Sequence, residues 1–160
     1  MTVRKPSSPS EPCNSTHHCK LCKNMSNKSI IQNVHTGKLC HTAGGTCSTT
    51  NTIYAAECTK HSLIYVGHTG RKLSQRFVNH RSDALHKPKA CELAAHFHQN
   101  DCNITKDLKV YILETHIEGT LENREFVEDK WITRLDTRSP NGLNSNLRDF
   151  GHLYYTIFNK

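Results

Sequence analysis

Residues 51–68 read NTIYAAECTKHSLIYVGH. Two short runs, Asn51–Cys58 and Ser62–His68, are rich in β-branched, aromatic and small apolar residues and flank the polar connection Thr59-Lys60-His61. That arrangement predicts a β-hairpin. Strands joined this way are antiparallel, so the fold points to a mixed α+β class with a small, mainly antiparallel sheet rather than a doubly wound one.

Working downstream, Thr69-Gly70 ends the second strand and opens a helix from about Arg71 to Leu85, with Leu73, Phe77 and Ala84 toward the core and Pro88 beyond its end. A shorter helix follows over Ala90–Gln99, and Leu108–Glu114 (LKVYILE) reads as a third strand. Leu121–Leu135 carries the clearest helical pattern, and the turn signal Ser139-Pro140-Asn141-Gly142 comes after it. The order is β-β-α-α-β-α, a three-stranded sheet flanked by helices. The aromatic stretch His152–Phe158 gives the tail over 147–160 a surface suited to packing on this domain.

Upstream, the texture differs. Residues 1–50 hold six Lys or Arg against the single acid Glu11, and five of the eight cysteines, with no sustained period of 2 or 3.6. Such a segment buries too little apolar surface to fold alone, and metal is its expected staple. The expected organisation is a disordered tail over 1–12, a basic, cysteine-rich, zinc-binding extension over 13–50, the main domain over 51–146, and the tail over 147–160.

The whole chain has 160 residues, 35% of them apolar, which suits one domain plus an appendage. It has no apolar run of the roughly 18 residues that a membrane-spanning helix needs. The opening MTVRKPSSPSEP lacks the apolar stretch of a secretory signal, so an intracellular, reducing setting is expected. There, eight cysteines and twelve histidines suggest zinc before disulfides. The net charge of +7 favours a polyanionic partner.

Several residues stand out in the main domain. Tyr54 and Tyr65 sit on the two hairpin strands and face each other if the register allows, and Gly67 stands where a side chain would obstruct a ligand's approach. Arg76 and His80 are four apart and share one helix face. Arg71, Lys72, Arg76, Arg81, Lys87 and Lys89 oppose a single Asp83, a stripe that could follow a phosphate backbone. On the last helix, at about 100° per residue, Glu128 projects from the apolar stripe of Leu121, Trp131, Ile132 and Leu135. Glu122 and Asp129 point well away from it, and Glu125 sits nearer its edge. A carboxylate in that stripe is costly unless an arginine or a hard divalent cation meets it. The plainer alternatives are half-buried strand tyrosines, a solvated basic helix face, and a Glu128–Arg124 pair one turn apart.

Cysteine spacing suggests two zinc sites. Cys13-x5-Cys19-x2-Cys22 with Cys47 would close a tetrahedral site, with His17, His18 and Cys40 as substitutes for one ligand. Cys58-x2-His61 at the hairpin tip, with His96 and one of His80, Cys91, His86 or His98, is the second candidate. Cys102, His116 and His152 are assigned no role.

Together these residues resemble the GIY-YIG nuclease superfamily. The resemblance is carried by Thr52-Ile53-Tyr54, by Tyr65-Val66-Gly67, by Arg76 and His80, by Glu128 three residues before Trp131-Ile132, and by Asn144 in PNGLN. Tyr65–Arg71 (YVGHTGR), His96-Phe97 and Gly142–Asn144 are similar to the endonuclease of Penelope-like retroelements, which accompanies a reverse transcriptase. Three positions depart from the pattern. Thr52 replaces the first glycine, His68 stands where some bacterial repair relatives carry lysine, and Cys58-x2-His61 replaces the usual Cys-x2-Cys of Penelope-like elements.

The resemblance implies metal-dependent hydrolysis of a DNA phosphodiester, leaving a 3′-hydroxyl and a 5′-phosphate, for target-primed insertion of a retroelement in the nucleus or elsewhere inside the cell. It implies that Glu128 holds Mg²⁺ or Mn²⁺, and that Tyr54 or Tyr65 orients or deprotonates the water. It further implies that Arg76 neutralises the phosphate, that His80 contacts phosphate or assists proton transfer, and that Asn144 braces the site. It also favours two cysteine-type ligands followed by two histidines at the second zinc site. A phenol with its ordinary pKa near 10 is a poor base, so nearby cations are expected to lower it. Two other classes fit the same residues: a zinc-dependent nucleic-acid-binding module that cuts nothing, and an incision subunit of DNA repair.

Overall fold

A computed structural model describes residues 19–99 and 101–145. A short 3₁₀ turn at Cys22–Asn24 leads into a small hairpin of β1 (Ile30–Gln32) and β2 (Leu39–His41). Then come β3 (Thr52–Cys58), β4 (Leu63–Thr69), α1 (Leu73–His86), α2 (Glu92–Gln99), β5 (Leu108–Glu114) and α3 (Leu121–Leu135). The second sheet has the order β4-β3-β5 and is antiparallel throughout, as the sequence predicts.

β3 is central, and the sheet is covered on both faces, which explains its almost unbroken apolar reading TIYAAEC. One face carries Tyr54, Ala56, Cys58, Tyr65, Val110 and Ile112, packed with Phe77 of α1 and Leu93 of α2. The opposite face carries Ile53, Ala55, Ile64, Val66, Tyr111 and Leu113, packed with Trp131, Ile132 and Leu135 of α3. Between Ile53 and Tyr54 the pairing with β5 skips Leu113, because Ile53 opposes Glu114 while Tyr54 opposes Ile112. Such a bulge bends the strand locally. α3 starts at Thr120, whose side chain accepts from Asn123 N–H, and ends at Asp136 in the left-handed conformation, whose N–H donates to Ile132 and Thr133 carbonyls.

Three features differ from the sequence reading. The extension contains a hairpin of three-residue strands, too short to leave a periodic signal. Its Ile31 and Cys40 join the α3-side cluster, and Ser26 and Ala43 N–H groups donate to the Val110 and Ile112 carbonyls of β5. The amide nitrogen of Asn33, fully buried, lies within 3.1 Å of the Leu135, Asp136 and Asn141 carbonyl oxygens and so covers the C-terminal end of α3. Second, Asp129, placed well away from the apolar stripe, is nevertheless buried at 1% exposure, because α3 has neighbours in β3, β4 and β2. Third, Leu121, counted in the apolar stripe, is exposed at the first turn of α3.

Candidate active site and metal-binding clusters

The hairpin register puts Tyr54 opposite Gly67 and Tyr65 opposite Ala56. The tyrosines therefore share a face but are diagonal neighbours, not direct partners. This register also gives Gly67 a different reason from the expected one. A Cβ there would lie 2.6 Å from Tyr54 Cζ, so the absent side chain makes room for the neighbouring phenol, not for a ligand.

Arg76 and His80, one turn apart on α1, both reach that phenol. Arg76 Nε donates to Tyr54 Oη at 3.3 Å, and His80 Nε2 lies 2.6 Å from the same oxygen. His80 is fully buried, in ring contact with Phe77 and Tyr65, and its Nδ1 faces Cys91 Sγ at 3.8 Å. Burial, and then the Arg76 charge, push its pKa down to about 3, so the imidazole is neutral near pH 7. The Arg76 hydrogen bond does not lower Tyr54. Burial raises its hydroxyl well above the ordinary value, against the opposing pull of Arg76, and burial likewise raises Tyr65. Against the guanidinium alone, loss of hydration outweighs the single nearby charge.

Beside this buried cluster is an open cavity of about 480 Å³ lined by Tyr65, His68, Arg71, Arg76, Arg124 and Glu128, together with Thr69, Gly70 and Asn79. Glu128 reaches it from the middle of α3, and its carboxylate lies 3.8 Å from His68 Nε2 on β4. The cavity thus joins one tyrosine, one guanidinium from α1 and the helix-borne acid, with Tyr54 just behind, bonded to Arg76. Asn144 is not among the lining residues. Its Oδ1 accepts from Val66 N–H at 2.9 Å and from Thr137 Oγ1 at 2.7 Å, while Nδ2 donates to the Val66 carbonyl at 2.9 Å. It braces β4 along the sheet's outer edge, supplying the hydrogen bonds a further strand would otherwise provide.

A family model described as the GIY-YIG catalytic domain matches residues 50–144, more than half of the chain. The chain belongs to the GIY-YIG family. It is therefore a nuclease of the GIY-YIG type, and such nucleases are metal-dependent. No curated protein and no solved structure matches it.

Of the basic residues expected to track nucleic acid, Arg71 lines the GIY-YIG cavity and Lys72 is exposed at the start of α1. Lys87 and Lys89 are exposed past its far end; Lys87 lies roughly 16 Å along the axis from Arg76. Arg81 is engaged otherwise: its Nη2 donates to the Lys20 carbonyl at 2.8 Å and to Asn24 Oδ1 at 3.1 Å, tying α1 to the extension.

Two clusters have donor sets suited to zinc. Cys19, Cys22 and Cys47 converge, with Cys47 Sγ 3.3 Å from Cys19 Sγ and 3.6 Å from Cys22 Sγ. Thiolates about 2.3 Å from a tetrahedral ion are separated by roughly 3.8 Å, so this spacing is close to a ligand edge. Cys13, His17 and His18 lie outside the described residues, and Cys40 is removed from the set because it packs against α3.

The second cluster is Cys58, His61, His96 and Cys102, whose ligand atoms all lie within 4.8 Å of one another. His61 Nδ1 faces Cys58 Sγ at 3.4 Å while its Nε2 meets Asp101 Oδ1 at 3.3 Å, so a carboxylate orients the ring with Nδ1 inward. Burial and the adjoining Cys58 push the Cys102 thiol up, a repulsion that a cation between them would relieve. Cys102, assigned no role from sequence, is the fourth member, in place of His80, Cys91, His86 or His98. His80 and Cys91 belong to the Tyr54 cluster, and His98 Nδ1 meets the Ala84 carbonyl. The signal available beforehand was His96-x5-Cys102, a second closely spaced ligand pair.

No helix among the described residues is long and apolar enough to cross a membrane.

Proposed function

We propose that this GIY-YIG domain is a DNA endonuclease that hydrolyses one phosphodiester to leave a 3′-hydroxyl and a 5′-phosphate. The observation that carries the reading is the shared cavity of Tyr65, Arg76 and Glu128, with Tyr54 bonded to Arg76 behind it. Glu128 fits a hard cation: it is a carboxylate only 6% exposed, reached from an open cavity. When bound, Mg²⁺ or Mn²⁺ would supply Lewis-acid polarisation of the phosphate and a more acidic water.

The chain's own residues do the rest. Arg76 offers its guanidinium to the phosphate oxygens, where charge builds as the bond breaks. Tyr65, which lines the cavity, orients water by hydrogen bonding as a protonated phenol, while Tyr54 behind it positions Arg76. Neutral His80 accepts the Tyr54 hydroxyl proton in a hydrogen bond, which leaves the phenol's oxygen lone pairs for other donors. Its burial favours this role over phosphate contact. Asn144 keeps β4, and hence Tyr65, in register.

The finer reading is nicking for target-primed reverse transcription, in the nucleus or elsewhere inside the cell, beside a reverse transcriptase that extends the new 3′ end. It is supported by the Tyr65–Arg71 run, by Gly142–Asn144 and by the cysteine-rich approach to β3. The two clusters then serve as structural Zn²⁺ sites, with Cys13 completing the first and Cys102 the second.

Incubation of supercoiled plasmid with Mg²⁺ or Mn²⁺ tests the reading. Open circles formed by the native chain and absent with Glu128→Ala are expected. Tight binding without nicking in either metal would replace it with the non-catalytic, zinc-dependent binding module.

A further inference from the structure

Arg124 lies one turn before Glu128 on α3 and lines the same cavity, but no part of the reaction described above uses it. Its Nε is buried with no hydrogen-bond partner, and its guanidinium forms no ion pair among the described residues. The plainer alternative of a Glu128–Arg124 pair one turn apart is not among the ion pairs of the described residues. The guanidinium lies against the Gly70 backbone instead: a Cβ on Gly70 would sit 3.0 Å from Nη2 and 3.1 Å from Cζ. A Cβ at 70 would make the guanidinium give by a few tenths of an ångström, so the glycine lets it lie this close to the backbone.

The cavity's charge gives that arginine a purpose. Arg71, Arg76 and Arg124 face one carboxylate, Glu128, so positive charge exceeds what a single phosphate or the acid itself would balance. Arg76 enters from α1 and Arg124 from α3, so two guanidinium groups reach the cavity from separate helices. Guanidinium is the side chain best shaped for paired hydrogen bonds to phosphate oxygens.

We propose that Arg124 is a second phosphate clamp, gripping the phosphodiester next to the scissile one, with Gly70 giving it room to lie there. This rests on the nuclease reading. Arg76 serves the reacting phosphate, while Arg124 fixes the strand's register and contributes equally before and during reaction. Uniform binding of that kind lowers KM without raising kcat.

The test uses the full chain, supercoiled plasmid as substrate, and a fluorescent DNA duplex as a binding probe without divalent metal. Arg124→Gln should raise KM about tenfold, the equivalent of one charge-assisted contact, while kcat falls less than twofold. The slope of log affinity against log salt should become shallower by about 0.9 for one lost duplex phosphate contact. Arg124→Lys should restore the salt slope but only part of the KM, and Gly70→Ala, which displaces the guanidinium by a few tenths of an ångström, should raise KM in the same direction but by less than Arg124→Gln. A single neutral methylphosphonate beside the mapped nick should weaken the native chain and leave Arg124→Gln unaffected.

An unchanged salt slope and KM in Arg124→Gln would overturn the proposal. So would a loss confined to kcat, which would assign Arg124 to the reacting phosphate or to Glu128. If the native chain binds but does not nick, the nuclease reading fails by itself, and the salt slopes still decide whether Arg124 contacts phosphate. Thermal melts of each variant identify any that have merely unfolded.

Discussion

Tyr54 Oη and His80 Nε2 lie 2.6 Å apart, and both residues are fully buried. Burial and the Arg76 charge hold this imidazole neutral, and the cost of charging it couples folding to pH. His80 titrates near 3 in the folded chain against about 6.5 when unfolded, so below pH 6.5 the unfolded state binds the extra proton. Stability is complete above that pH and is lost progressively as pH falls toward 3. The loss at pH 5 should be about 2 kcal/mol from this group. Urea denaturation of the native chain and of His80→Gln between pH 7.5 and 5 isolates it, since both share every other titrating residue. Parallel pH profiles would refute the buried neutral state.

Gly67 faces the same phenol from across the hairpin. Tyr54 has little room to yield, because its ring packs edge-on against Phe77 at 5.2 Å. Gly67→Ala should therefore cost about 1–3 kcal/mol, the usual range for overpacking a close-fitted core, and should suppress nicking. Adding Tyr54→Phe should recover part of the stability and none of the activity. Denaturation midpoints and plasmid assays on the same preparations check both halves.

Removing the Asn144 side chain leaves the Val66 N–H and carbonyl without their partner and frees Thr137 Oγ1. Asn144→Ala should destabilise the fold by about 2–4 kcal/mol, and Thr137→Val by about 1 kcal/mol. Hydrogen exchange should accelerate first at Val66. If protection there is unaltered, Asn144 is not the brace of β4.

The metal clusters make a prediction about stoichiometry. Cys102→Ala should release one zinc per chain and destabilise the hairpin tip, whereas His98→Ala, whose ring is held by a backbone carbonyl, should retain it. Elemental analysis distinguishes them. Equal zinc in Cys102→Ala and the native chain would remove Cys102 from the ligand set.

The main sheet and its helices were legible because β3, β4 and β5 are compact β-prone runs bounded by polar connections and α3 carries a helical period, and the bounds of β5 and α3 match the residues read from sequence. The candidate site residues were legible as an ordered set of side-chain types, of which Tyr65, Arg76 and Glu128 line one cavity. What sequence could not supply was environment. The raised phenols, the burial of Asp129 and the occupation of Arg81 by Lys20 and Asn24 all depend on what packs against them from distant segments. Cys102 was missed for the same reason: its partners at 58, 61 and 96 approach it only through the fold. Strands of three residues, β1 and β2, are shorter than any window in which alternation can be recognised.

Asn33 carries a consequence for anyone trimming this protein. The recognisable module begins at residue 50, yet the helix bearing Glu128 ends against an amide contributed from seventeen positions upstream of that boundary. A fragment cut at the apparent border would strip away that lid and bare the last carbonyls of α3. The minimal nuclease is thus longer than its signature, and its inherited name covers less chain than its architecture needs.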